Sequence, residues 1–94
     1  MLLKRELLEQ IKAGKVDLVF RRWSRPSVKA GGTLKTKIGI LAIRSMDEMS
    51  PHDVNDRDAR RAGFADAEAF HRWLETMKAG EHFHRIEVAF LGDV

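Results

Sequence analysis

The sequence contains no cysteine. That excludes a disulfide staple, a thiolate zinc site and a cysteine nucleophile, and it suits a small domain in a reducing cytoplasm. No apolar run approaches the length of a membrane span. The opening MLLKRELLEQ is interrupted by charge from its fourth position, unlike the continuous apolar stretch of a signal peptide. A soluble, cytoplasmic protein with no membrane partner is the expectation. There is no GxSxG elbow, no P-loop and no glycine-rich dinucleotide fingerprint. No cofactor and no metal are expected. Internal repeats, low-complexity tracts and linkers are absent as well, so the 94 residues read as a single domain with one modest core.

What is present is ordinary globular chemistry: 44% hydrophobic and 33% charged residues argue against wholesale disorder. The net charge of +3 hides an uneven distribution. Residues 1–44 carry eleven Lys/Arg against Glu6, Glu9 and Asp17, a net +8, whereas residues 45–94 carry six against eleven Asp/Glu, a net −5. Two readings compete. Either the first half presents a basic face to a polyanion, or the halves fold together and neutralise each other.

Leu3, Leu7, Leu8 and Ile11 recur at helical spacing, and Gly14 supplies a stop. Val16, Leu18 and Phe20 then alternate with Asp17, Val19 and Arg21, which predicts a strand with its even positions toward the core. Ser24 to Gly32 reads as a loop, broken by Pro26 and Gly31-Gly32. Residues 34–46 return to β character, either as one bent strand or as two. Lys35 and Lys37 share one strand face there, and Ile40-Leu41-Ala42-Ile43 is apolar on both faces. Asn55 or Asp56 caps a short helix ended by Gly63. Asp66 caps a longer one, with Phe70, Trp73, Leu74 and Met77 on one stripe and its end at Gly80. His82 to Leu91 is a closing strand with Ile86, Val88 and Phe90 on one face and Arg85 and Glu87 on the other. The order predicts an α+β fold: a small β-barrel or strongly curved sheet with flanking helices.

Four pieces of the chain carry a resemblance. They are the helix leading through Gly14-Lys15 to a strand ending Arg21-Arg22-Trp23; the turn Arg25-Pro26-Ser27-Val28-Lys29-Ala30-Gly31-Gly32; the segment Val54 to Phe64 with its Asp58-Ala59 and Gly63-Phe64; and a helix with Trp73-Leu74 before a strand with Arg85-Ile86. In order and spacing, over roughly residues 5 to 92, they resemble the ASCH family of the PUA-like superfamily. The resemblance implies a compact barrel with a cleft suited to nucleotides or RNA. Some small bacterial ASCH proteins are amidohydrolases of N4-acetylated cytidine, with a Gly-x-Lys-Thr-x-Glu pattern. With Gly14 in register, Val16, Asp17 and Val19 stand at the lysine, threonine and glutamate positions. Valine can neither transfer a proton nor donate a hydrogen bond. The resemblance therefore brings no catalytic residues over.

The sharpest cluster is Arg21, Arg22, Trp23, Ser24 and Arg25. Arginine binds phosphate bidentately and stacks on bases, and tryptophan offers a stacking platform. The competing reading has Trp23 closing the core and the arginines paired to acids of the second half. Lys15, Lys29, Lys35 and Lys37 extend a phosphate-tracking surface or are plain solvated lysines. Catalytic candidates are weak: Lys15 and Asp17 as an acid–base pair. His82 and His84 share a strand face, which fits either a metal pair or the polar end of a strand. The leading expectation is a domain that binds RNA, single-stranded or structured, or a nucleotide, in RNA metabolism or translation-related regulation. A small hydrolase acting on a modified nucleoside or on RNA is the alternative, and a protein-interaction domain is a third. Monomer and dimer both stay open.

Overall fold

A computed structural model describes residues 3–77 and 80–93. Helix α1 (Arg5–Lys12) is followed by strands β1 (Leu18–Trp23), β2 (Thr33–Thr36) and β3 (Gly39–Glu48). A 3-10 turn (Pro51–Asp53), helices α2 (Asp56–Arg61) and α3 (Ala67–Glu75), and strand β4 (His82–Gly92) complete the chain. The strands form one antiparallel sheet in the order β1-β4-β3-β2, curled into a half-barrel. Register shifts at Ile40/Leu41 and Ile43/Ser45 on β3 supply local bending, as bulges do.

Both faces of this sheet are covered, and side-chain alternation divides the core in two. On the α1 side, Leu8, Ile11 and Val16 pack with Val19, Leu41, Ile43, Ile86 and Val88. On the other side, Leu18, Phe20 and Phe83 pack with Val54, Ala59, Ala62, Phe70 and Leu74. Two-sided cover explains why Leu18, Val19 and Phe20 are all buried in succession. Phe70 anchors the second cluster, its ring 5.0 Å from Phe20, 5.6 Å from Phe64 and 5.8 Å from Phe83.

The helix caps follow local chemistry. Asn55 accepts from the backbone N–H of Asp58, and Asp66 from that of Ala69, each satisfying an orphan donor of a first turn. Helix α3 ends at Glu75, short of the expected Gly80; residues 78 and 79 lie outside those described.

Two expectations change, and residues 34–46 take one of the two forms left open. Residues 34–46 form two strands: β2 and β3 pair as a hairpin through a turn at Lys37 and Ile38. Lys37 therefore lies in the turn, and the two lysines do not share a strand face. Gly39 makes this turn possible. Its φ of +149° disfavours a side chain, and a Cβ would lie 2.4 Å from the Gly92 carbonyl oxygen. Val16 precedes β1 and belongs to the α1-side cluster, whereas Leu18 and Phe20 face the opposite one. The backbone of Asp17 between them is tied to two elements: its N–H donates to Arg61 O, and its carbonyl accepts from Val88 N–H. Arg85 and Glu87 do stand opposite Ile86 and Val88, but that face is no open surface. Arg85 is held there by Asp58 of α2 at 2.9 Å and by Glu87 at 2.8 Å. No described helix is long and apolar enough to cross a membrane.

Candidate functional site

Antiparallel pairing brings residues far apart in sequence onto one patch. Arg21 pairs with His84 and Trp23 with His82 across β1 and β4, and His84 also pairs with Glu48 of β3. Paired residues project to the same face. Arg21, Trp23, His82, His84 and Glu48 therefore share the α1-side face, where β1 and β3 end and β4 begins.

The indole N–H of Trp23 donates to Nδ1 of His84 at 2.7 Å, and His84 is buried with 7% exposure. An indole nitrogen only donates, so Nδ1 must be unprotonated, and a neutral His84 carries its proton on Nε2. His82 Nδ1 lies 2.7 Å from Glu48 Oε2. This bond raises the His82 pKa and lowers that of Glu48. The pair is exposed, 40% and 57% at the side chains, and solvent screens it accordingly. Arg21 is half-buried; burial lowers its guanidinium pKa, and it has an interaction of its own.

The loop after Trp23 crosses from one sheet edge to the other. Val28 packs on the same core cluster as Trp23 and Met46, while Ser24, Arg25 and Lys29 are exposed. Gly31 N–H donates to Ile43 O, and Ile43 N–H donates to Gly32 O, which anchors the loop's far end on β3. Pro26, Val28, Lys29, Thr33 and Leu34 are among the residues lining an open hollow of about 490 Å³. Small-molecule sites fall roughly between 300 and 1,000 Å³.

The basic residues thus distribute as follows. Arg21 and Trp23 share the α1-side face at the end of β1, Arg22 pairs with Phe83 and projects to the opposite face, and Ser24 and Arg25 follow in the loop. Lys29 lines the hollow, and Lys35 and Lys37 extend along and beyond edge strand β2. Lys15 is exposed near the opposite end of β1, away from this group. Asp17 is held by Arg61, which donates to both its carboxylate oxygens at 2.9 and 3.2 Å. Asp17 and Arg61 make a structural clamp between the start of β1 and α2.

Among the described residues, Asp17 to Arg61 and Lys12 to Asp93 are the ion pairs that join the two halves. The acids of the second half that form ion pairs bind mainly second-half cations: Asp58 to Arg85 and Arg61, Glu87 to Arg85, Glu68 to Arg72, and Glu48 to His82. Lys12 to Asp93 is the exception. Among the described residues, no salt bridge engages Arg22, Arg25, Lys29, Lys35, Lys37 or Arg44.

Sequence reasoning missed Glu48 and Arg44 as members of this surface. Glu48 meets His82 only through β3–β4 register, and Arg44 sits exposed at a β-bulge beside the loop's anchor on Ile43. The alternation His82-Phe83-His84 was the one available signal, and it places both imidazoles on one face. No group of three or more His, Asp or Glu residues placed to hold a metal ion occurs among the described residues. Compared with protein-family models, with curated proteins and with solved structures, the chain matches none.

Proposed function

We propose that this chain is an ASCH-like domain that binds single-stranded RNA or a nucleotide through the end of β1, the loop 24–32 and edge strand β2. One observation carries the reading: among the described residues Arg22, Arg25, Lys29, Lys35 and Lys37 form no salt bridge, while Asp58, Glu68 and Glu87 are engaged by Arg61, Arg72 and Arg85. A polyanion satisfies such a surface, and counterion release favours its binding. Trp23 adds an aromatic body at the centre of the basic cluster, and base–aromatic stacking contributes about 1–3 kcal/mol per base. The half-barrel with helices on both faces fits the curved sheet with flanking helices expected from the sequence.

The test is fluorescence anisotropy of a labelled single-stranded RNA at two salt concentrations, with wild type and with Arg25→Ala/Lys29→Ala. Both residues are exposed, so the fold tolerates the change. Wild type should bind with a negative salt slope. The double variant should bind more weakly, with the slope reduced by about 0.7 for each phosphate contact removed. Absence of wild-type binding at low salt overturns the reading.

A further inference from the structure

The patch on the α1-side face contains more than positive charge. His84 is buried, and the Trp23 indole fixes it in the tautomer that carries its proton on Nε2. Its ring centroid is 6.3 Å from that of His82, one step along the same face of β4. Arg21, register partner of His84, adds its charge. His82 is bound by the exposed carboxylate of Glu48 at 2.7 Å. A carboxylate on an imidazole is the contact a phosphate oxygen would make, with the same charge sign and a similar hydrogen-bond length.

We propose that Arg21, Trp23, His82 and His84 form a site for a phosphomonoester, and that Glu48 is an internal competitor which the incoming phosphate displaces from His82. The site deepens the nucleotide-binding reading above and rests on it for the identity of the ligand. Its shared chemistry is a dianionic terminal phosphate, carried either by the 5′ end of an RNA strand or by a free nucleotide. Trp23 would lie beneath the attached base or sugar, and a phosphodiester within a chain offers neither the second charge nor the free third oxygen.

The groups around His82 set the pH behaviour. Glu48 of β3 and Trp23 of β1 face it, and Glu81 and His84 stand on its own strand segment, with Arg21 one pair further along. The hydrogen bond to Glu48 is the largest cause raising the His82 pKa. Phosphate affinity therefore falls as pH rises through the His82 titration. Glu48→Gln removes the competitor and shifts that fall to lower pH.

The experiment labels the histidine rings with ¹⁵N and titrates inorganic phosphate and a nucleoside 5′-monophosphate into wild type, Glu48→Gln and His82→Gln. In parallel, anisotropy compares one RNA with a 5′-phosphate and with a 5′-hydroxyl. Both substituted side chains are surface groups, so fold loss does not cloud the comparison. Inorganic phosphate should shift the His82 and His84 ring signals saturably, more tightly in Glu48→Gln and not in His82→Gln. The 5′-phosphate should improve RNA affinity at least about tenfold, as expected for one added charge-assisted hydrogen bond. If phosphate leaves both rings unmoved in wild type, the phosphate site is overturned, whatever the RNA does. If phosphate moves the rings but the two RNA ends bind equally, the site stands and its ligand is a free nucleotide. If phosphate moves the rings and RNA does not bind at all, the site stands and the polynucleotide reading falls.

Discussion

Trp23 and His84, 61 positions apart, are joined by a 2.7 Å hydrogen bond from the indole N–H to the imidazole Nδ1. This single contact ties the end of β1 to β4, chooses the tautomer of a buried histidine and keeps the indole at a fixed tilt to it. Trp23→Phe retains a ring but removes the donor, leaving Nδ1 buried without a partner. The cost should be about 1–3 kcal/mol in urea unfolding. The ¹⁵N ring shifts of His84 should lose the signature of a single tautomer. Unchanged shifts would mean that something other than Trp23 selects it.

Gly80 lies close against the backbone of the same residue. A Cβ at this position would lie 2.9 Å from both the backbone N and the carbonyl C of Trp23. Those atoms belong to a paired strand and cannot swing aside as a flexible side chain can. Gly80→Ala should lower the melting temperature by several degrees, on the order of 4–8 °C per kcal/mol for a domain of this size. It should also displace Trp23, read as a change in its fluorescence maximum. A melting temperature equal to wild type would show that the strand end yields.

Phe70 is fully buried at the centre of the aromatic cluster, and removing its ring leaves a cavity among Phe20, Phe64, Phe83 and Trp73. Phe70→Ala should cost about 3–5 kcal/mol, a large share of the stability of a small domain. Phe70→Leu should recover a substantial part of that loss. Equal losses in the two variants would argue against a packing origin.

The polar contacts give different pH signatures. Asp58 holds Arg85 through two hydrogen bonds, at 2.9 and 3.3 Å, and Arg85 holds the Asp58 carboxyl below the usual carboxylate range. Its stabilisation is present above the unfolded-state pKa and is lost as pH falls through the lower folded value. Asp58→Asn should cost about 1.5–3 kcal/mol at neutral pH and markedly less in acid. The Glu48–His82 pair behaves differently. The lowered Glu48 pKa makes its share disappear in acid, and the raised His82 pKa makes its share disappear as pH rises through that value. The stability difference between wild type and Glu48→Gln should peak at about pH 5–6 and fade on both sides. It stays small, because both groups face water. A difference that grows steadily with pH would rule the bridge out as its source.

Local chemistry was legible in the sequence where a short-range rule decides. The stripe Leu8 and Ile11, the side-chain caps at Asn55 and Asp66 and the alternation of the closing strand each depend on residues within a few positions. The same patterns specify helices and strands in any α+β chain. The basic cluster from Arg21 to Arg25 was equally plain as composition. That Arg22 and Arg25 form no salt bridge among the described residues was not, because a charge imbalance between halves is silent about which carboxylate reaches which cation.

The site itself was decided by strand register. Order β1-β4-β3-β2 places β4 between two strands, so that His84 pairs with both Arg21 and Glu48. A slip of one residue would send every one of these side chains to the opposite face. Covering both sheet faces likewise drew Arg85 and Glu87 into a network with Asp58 of α2. By itself, the sequence determined which segments curl, extend and turn, and where its positive charge lies, because those follow from neighbours along the chain. Only the tertiary structure decided which arginines are spent on carboxylates and which imidazoles meet, because those depend on contacts tens of residues apart that the packing of two cores brings into register.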